Sequence, residues 1–490
     1  MSASVYVGLD IGTTSIKVVA INKQLEIVFE KQYAYEYLTP HKGWTEINPD
    51  IWIEITVKGL KELFQQIPVD TVKGIGITGQ MHTTVFVNKH GFSIRPAIMW
   101  NDNRTKESLP AIKQALGSRK NSAHLAKIVS TGSPLASLLW VKGHEPESFQ
   151  QIYKFLIAKD YVKLKLTGVY TTDYCDASTS ALYDLHTEGW SKDVQALFDL
   201  SPGLYPEIRP SATVIGNLTK EMCKELNIDQ SLPVVTGTGD NVASTLASGS
   251  FDTMQPLISL GTSGVVVIPN NQHQLKKIGK NVITKLTDRD EFIITQGTVQ
   301  AGAKINSWWL DNILQTGNYT KEQREIPKEL LGENDVFFFP HMNGEKTLFA
   351  NPNLKGAFIG LSLETDRAEM YLAVLEGLAF GIRQLFEAMK NDERPEYFTI
   401  VGGGAKSELW VRIFANVLGY PIKRVQMLQE AVHGAAILAI MGVEGNFSFP
   451  IMSEPQLIQP DPVIIAKYRQ RYENYLRLTQ QLLFFGGDGK

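Results

Sequence analysis

The amino-acid sequence predicts an α/β chain of two lobes, each built around a sheet. Three observations predict it. A strand–glycine turn–strand motif occurs twice: Val7-Gly8-Leu9-Asp10-Ile11-Gly12-Thr13-Thr14-Ser15-Ile16-Lys17, then Leu257-Ile258-Ser259-Leu260-Gly261-Thr262-Ser263-Gly264-Val265. A β-meander followed by a helix and another strand indicates a mixed sheet with helical crossover. The 490 residues exceed what one core ordinarily serves. Glycine lets backbone N–H groups approach a phosphate closely, and neighbouring hydroxyls add donors. Two such turns, one per half, suggest facing lobes that grip a nucleotide's phosphates.

Composition narrows the class. Hydrophobic residues make up 43% of the chain, charged residues 20%, and the net charge is −3. That is a soluble globular profile with no broad basic field, which argues against nucleic acid or an anionic membrane as main partner. The two cysteines, Cys175 and Cys223, form no CxxC. Disulfide stapling is not expected, and a reducing cytoplasm fits. No apolar run reaches roughly 18 residues and no basic n-region opens the chain, so neither a membrane span nor a signal peptide is expected.

In the first lobe, strands are expected at Val5–Ile11, Ile16–Ile21 and Leu25–Tyr33. A helix follows, with Asn48 as N-cap and Pro49 as first helical residue. Ile53, Val57, Leu60, Phe64 and Ile67 recur at helical spacing and predict its buried face. Strand Val72–Thr78 ends at Gly79-Gln80-Met81-His82. Helices are expected over Ser133–Lys142 and Ser148–Leu166. Strand Leu232–Thr236 runs into Gly237-Thr238-Gly239-Asp240-Asn241. The lobe boundary falls near 245–250. Beyond it the motif repeats, and a long helix spans Asp366–Lys390. Asp366 and Glu369 have capping-box spacing, and Leu375, Leu378, Ile382, Leu385 and Met389 form its stripe. Strand Tyr397–Val401 enters Gly402-Gly403-Gly404-Ala405. A helix over Ser407–Leu418 is closed by Gly419, and the tail Ile464–Leu483 reads as a last helix.

Several residues carry chemistry. Asp10 lies in an otherwise apolar strand, where an unpaired carboxylate costs several kcal/mol. With the glycine turn following and a second copy downstream, a Mg²⁺ role is favoured over a bond to turn amides. Thr13, Thr14, Thr262 and Ser263 are candidate phosphate donors; ordinary hairpin turns would use the same residues. Asp240 on a strand-end loop is placed to take a proton from a substrate hydroxyl, or else to cap a helix beginning at Val242. Gly402-Gly403-Gly404 removes side chains where a flat adenine ring would lie against backbone; a tight turn would rarely need three glycines. Met81 and His82 end a strand and suit a sugar, although core packing is the commoner use of such a pair. His341 and His433 read as structural.

On these residues the chain resembles the FGGY family of sugar kinases, within the actin-like, ribonuclease-H-like ATPase superfamily. The resemblance spans nearly the whole chain. Beyond the two turns it rests on Trp44-Thr45-Glu46 with Pro49 and Trp52, Gly79-Gln80-Met81-His82, and Arg95-Pro96-Ala97-Ile98-Met99-Trp100-Asn101-Asp102-Asn103-Arg104. It continues through Lys159-Asp160-Tyr161, Gly239-Asp240-Asn241 and Gly402-Gly403-Gly404-Ala405. It implies a two-lobed actin-like fold with a central interlobe cleft. An N-terminal lobe, 1–247, would bind sugar and supply the base; a C-terminal lobe, 248–490, would bind nucleotide. It implies ATP and Mg²⁺, with Asp240 as base and Asp10 as metal-linked carboxylate. Gln80, Met81, His82, Trp100, Asp102 and Asn241 would line the sugar pocket. Gly12, Thr13, Thr14, Ser15, Lys17, Gly261, Thr262, Ser263, Gly302, Gly403, Gly404 and Ala405 would meet the nucleotide. Relatives are often homodimers, though no interface signal marks one here.

Two departures bear on the acceptor. Thr83 stands where the nearest members of the family usually have glycine. Gly344-Glu345-Lys346-Thr347-Leu348 replaces Gly-Glu-Arg-Thr-Pro, which loses a planar guanidinium. The expected reaction is phosphorylation of D-xylulose at its 5-hydroxyl. Gluconate, ribulose and glycerol are alternative acceptors. From another class, a non-sugar actin-like ATPase switch would share the turns but would need no sugar base, and an inactive sugar sensor would not need both aspartates.

Overall fold

In the computed structural model, which describes residues 4–270, 275–390, 394–425, 430–445 and 457–485, strand Val5–Ile11 is central to a seven-stranded sheet. It pairs antiparallel with Ser15–Asn22 and parallel with Val72–Gly79. Ile27–Ala34 extends the meander beyond Ser15–Asn22. Pro233–Val235 adds parallel to Val72–Gly79, and Val214–Asn217 closes that side. Because strand side chains alternate, Val5, Val7, Leu9 and Ile11 join one core with Val18, Trp52, Leu60 and Leu63.

The opposite face carries Gly8 and Asp10. A Cβ at Gly8 would collide with the carbonyl oxygen of Val432, and one at Gly76 with that of Ala435. Both glycines lie under helix Ala431–Glu444, which therefore sinks backbone-deep onto the sheet. Gly434 of that helix likewise sits against the carbonyl of Ala243, in helix Asp240–Ala247. Close packing on three glycines thus delivers a helix from late in the sequence to the face that holds Asp10.

The chain forms two compact units. One is Met1–Ala247, Val282–Phe292 and Glu430–Pro450; the other is Ser248–Asn281, Ile293–Gln429 and Ile451–Lys490. The chain leaves the first unit at Ala247, and two later segments return to it.

The second unit repeats the motif. Leu257–Leu260 pairs antiparallel with Gly264–Asn270 and parallel with Phe398–Val401. Helix Arg367–Met389 starts on the Asp366–Glu369 capping box, and its expected stripe is buried throughout. Helix Glu408–Leu418 closes at Gly419, whose φ is +76°.

Two local expectations change. Pro49 occupies the cap position of helix Asp50–Gln66 rather than its first turn, and Asn48 Oδ1 accepts from the Asp50 N–H at 3.1 Å. That helix buries Trp52, Val57, Leu60 and Leu63, leaving Ile53 and Phe64 only partly buried. The expected helix Ser148–Leu166 is three elements: helix Pro146–Gln151, strand Lys154–Ile157 and helix Ala158–Thr167. The strand exists because Thr84–Val87 offers it a partner, a tertiary pairing that outweighs local helical spacing. Among the described residues no helix is long and apolar enough to cross a membrane.

Candidate active site

Asp10 reaches the end of its strand on the face covered by helices Asp240–Ala247 and Ala431–Glu444. Its Oδ1 is buried and has no hydrogen-bond partner. Burial raises its carboxyl from the usual 3.8 to about 7; the Asp240 carboxylate adds to the rise, Lys17 opposes it, and Glu430 adds a smaller push. Lys17 is ion-paired with Glu430. Three carboxylates and one ammonium therefore share this end of the sheet.

The turn after Asp10 is held from several sides. The Gly12 N–H donates to the Ser15 carbonyl at 3.0 Å. The Gly12 carbonyl accepts from the Tyr35 hydroxyl, and from Gln80 Nε2 at 3.2 Å. Trp100 Nε1 donates to Thr13 Oγ1 at 3.0 Å. Thr13 is half-buried, Thr14 is exposed, and Gln32 donates to Ser15 Oγ at 3.0 Å.

Strand Val72–Gly79 delivers the next group. Past Gln80, the chain bends at Met81 and His82, and His82 takes φ +70°, uncommon for a residue with a side chain. The Thr83 N–H bonds the Met81 carbonyl at 2.9 Å across this bend. Met81 packs under Gly239, where an added Cβ would lie 2.7 Å from Met81 Cγ. Asn241 Nδ2 reaches Met81 Sδ at 3.5 Å.

Asp240 begins helix Asp240–Ala247, two residues before the expected start at Val242, and its Oδ1 accepts from the Asn241 N–H at 2.8 Å. The preceding Thr238–Gly239 pairs with Thr78–Gly79, which brings Asp240 beside the Gln80–His82 bend.

The Lys159-Asp160 motif lies beneath this loop. Lys159 Nζ is 2.7 Å from Asp160, 2.9 Å from Asp173 and 3.0 Å from Asp176, all buried. Burial alone would lower the Lys159 ammonium, but the three carboxylates hold it well above its usual value. Lys163 donates to the Thr236 carbonyl at 2.8 Å and Asp173 accepts from Thr238 Oγ1 at 2.8 Å, so the cluster grips the segment that leads to Asp240.

Asp102 is fully buried. Its oxygens accept from Arg104 Nε and Nη2, both at 2.9 Å, and from the Thr45 N–H at 2.6 Å. Arg104 in turn lies between the rings of Trp44 and Trp140. Asp102 fixes the loop that presents Trp100, which is 46% exposed.

In the second unit the Gly261 N–H donates to the Ser263 carbonyl at 3.1 Å, and the Gly261 carbonyl accepts from the Ala303 N–H at 2.9 Å. Gly302, at φ +22°, lies so close to Ser263 that a Cβ would overlap its backbone. The glycine triplet divides its labour. Gly402, at φ +93°, and Gly404 pack against Leu260, whereas a Cβ at Gly403 would meet nothing within 4 Å. Packing therefore accounts for two of the three, and only Gly403 offers a bare backbone surface. Ala405 is buried.

The site residue that sequence reasoning missed is Glu430. It stands 413 positions from its partner Lys17. No local pattern marks it; the signal was the glycine spacing that seats helix Ala431–Glu444.

Two family models match the chain. The FGGY family of carbohydrate kinases, N-terminal domain, matches residues 5–247, and its C-terminal domain matches 257–443. A xylulose kinase of Staphylococcus xylosus is 32% identical over 450 residues, 91% of this chain and 93% of that protein. A xylulose kinase of Escherichia coli strain K12 is 30% identical over 486 residues, covering 98% of this chain and 99% of the other. The crystal structure of a xyloylose kinase from Brucella ovis matches with a TM-score of 0.87 at 29% identity, over 98% of this chain and 100% of that one.

Proposed function

Because the chain belongs to the FGGY family of carbohydrate kinases, we propose that it phosphorylates D-xylulose at the 5-hydroxyl with ATP, in pentose catabolism in the cytoplasm. The acceptor assignment follows the relatives called xylulose kinase, three of which are at least 30% identical over more than nine-tenths of this chain. The observation that carries the reaction is the buried, unpartnered Oδ1 of Asp10 at the sheet end, with Asp240 and the Met81–His82 bend nearby. A buried carboxylate oxygen without a partner, set beside a second carboxylate, is costly unless a cation or a proton transfer uses it.

The buried, unpartnered Oδ1 of Asp10 suits Mg²⁺, which takes one or two carboxylates and completes its shell with phosphate and water. Asp10 would hold it, and the ion would offset charge on the phosphoryl oxygens. Asp240 orients the sugar hydroxyl and accepts its proton. The bond from the sugar oxygen to the γ-phosphorus forms as the bond to the bridging oxygen breaks, and ADP leaves with that electron pair. The Gly12–Thr14 turn supplies amides and hydroxyls to a phosphate, in a transfer governed by positioning and electrostatics. His82 and Met81 meet the sugar, the imidazole by hydrogen bonding and the thioether by packing.

Product analysis of a pentulose and sugar-acid panel with ATP and Mg²⁺ tests the assignment. Xylulose 5-phosphate as the favoured product is expected. Preference for gluconate would move the acceptor but keep the reaction, and ATP turnover indifferent to every sugar would overturn both.

A further inference from the structure

We infer that Thr83 is a positioning residue that ties the Met81–His82 bend to the Gly12–Thr14 turn, so that sugar binding and nucleotide binding strengthen one another. The inference rests on the proposed function, in which the bend meets sugar and the turn meets phosphate.

Thr83 is 0% exposed, and its one hydroxyl is used in both directions. It donates to Gln80 Oε1 at 3.0 Å and accepts from the Trp100 N–H at 3.2 Å. Each partner continues to the other turn. Gln80 Nε2 donates to the Gly12 carbonyl at 3.2 Å, and Trp100 Nε1 donates to Thr13 Oγ1 at 3.0 Å. The result is a closed ring of hydrogen bonds that leaves Thr83 by two routes and meets at Gly12-Thr13.

The ring encloses the strained backbone. His82, at φ +70°, lies between Gln80 and Thr83, the two residues that the Thr83 hydroxyl joins. A residue held in this sparsely populated region persists only where its surroundings fix it. Moving the bend therefore drags Gln80 and Trp100, and with them the acceptor and donor contacts on the phosphate turn. Ligand that orders one turn removes part of the ordering cost at the other, a coupling that must act equally in both directions.

The hydroxyl, not the bulk of the side chain, carries this role. Thr83→Val keeps volume and branching but leaves Gln80 Oε1 and the Trp100 N–H without their partner. Thr83→Ser keeps both bonds. The test measures, by calorimetric titration, the affinity for a non-hydrolysable ATP analogue with Mg²⁺ in the absence and presence of saturating xylulose. Wild type is expected to bind the analogue at least ~5-fold more tightly with sugar present. Thr83→Val should bring that ratio close to one, and Thr83→Ser should restore it to within about two-fold. Trp100→Phe, which removes the Nε1 bond to Thr13 together with the second ring of the indole but keeps the backbone bond to Thr83, should lower the ratio in part and serves if Thr83→Val does not fold. An unchanged ratio in Thr83→Val or in Trp100→Phe, or a Thr83→Ser protein as uncoupled as Thr83→Val, overturns the inference. The product panel on wild type separates the two readings. Sugar-dependent turnover with unchanged coupling removes only the role of Thr83, whereas absence of sugar-dependent turnover removes the proposed function.

Discussion

The two glycine turns share a backbone and differ in charge. In each, a strand ends, the glycine N–H folds back on a nearby seryl carbonyl, at 3.0 Å for Gly12 and 3.1 Å for Gly261, and an antiparallel strand departs. Two residues before the glycine stands Asp10 in the first copy and Ser259 in the second. The first turn is held by the side chains of Tyr35, Gln80 and Trp100 as well as by the backbone bond from the Tyr35 N–H to the Thr14 carbonyl at 2.9 Å. The second is held by backbone, through Gly302 and Ala303. One local fold thus serves two purposes. The neutral copy is proposed as a cradle for phosphate. The charged copy, tied to side chains and surrounded by Asp240, Lys17 and Glu430, is where the proposed function puts the proton and phosphoryl chemistry.

The asymmetry is broken or upheld most forcefully at the aspartates. Asp240→Asn should lower turnover by about 10²–10⁴-fold, the usual worth of a general base, with xylulose affinity changed by no more than ~3-fold. Asp10→Asn should abolish Mg²⁺-dependent turnover to a similar extent, whereas Ser259→Ala should cost less than ~5-fold. Equal losses at Asp10 and Ser259 would mean that the copies are chemically equivalent. Steady-state kinetics with purified variants decides it.

Gly302→Ala probes the backbone-held copy. The new Cβ would overlap the Ser263 backbone, which no rotamer change relieves. Overpacking of this kind costs about 1–3 kcal/mol, read as a lowered Tm, and should raise the KM for ATP more than that for sugar. A variant with wild-type Tm would show that the second turn is as adjustable as the first.

The charged copy should also reveal itself in stability. The Asp10 carboxyl titrates at about 7 in the fold against a usual 3.8. Between those values the folded chain binds the proton that the unfolded chain has released, so this group's contribution to stability falls as pH rises through that window. Asp10→Asn removes the penalty. Its Tm relative to wild type should therefore be higher at pH 8 and converge towards wild type near pH 4. Mg²⁺ should raise the Tm of wild type at pH 8 and leave Asp10→Asn nearly unmoved. A variant less stable than wild type at pH 8 would mean that the Asp10 carboxylate is compensated rather than strained.

Legibility in the sequence follows how local each feature is. Both turns, the Asp366 cap and the Gly419 terminus depend on neighbours within a few residues, and their positions agree with the structure. The Ser148–Leu166 stretch was misread because strand Lys154–Ile157 is created by Thr84–Val87, far away in the chain. Asp102 accompanies Trp100 in the sequence, and only the structure shows that Arg104 two residues on takes its carboxylate. Glu430 was invisible for the same reason that Gly8, Gly76 and Gly434 looked ordinary: their meaning is one long-range helix–sheet contact.

The smallest effect is expected where the second unit offers a bare surface. Gly402 and Gly404 are glycine because Leu260 leaves them no room, and substitution there would report on packing alone. Gly403 is different, since an added methyl group meets nothing within 4 Å and the residue does not need a positive φ. Gly403→Ala should leave stability within about 0.5 kcal/mol of wild type. If the adenine ring lies on this surface, the same methyl group should raise the KM for ATP several-fold and leave that for xylulose unchanged. An unchanged KM for ATP would place the base elsewhere and reduce the triplet to a strand-to-helix turn, leaving the neutral copy to hold phosphates alone.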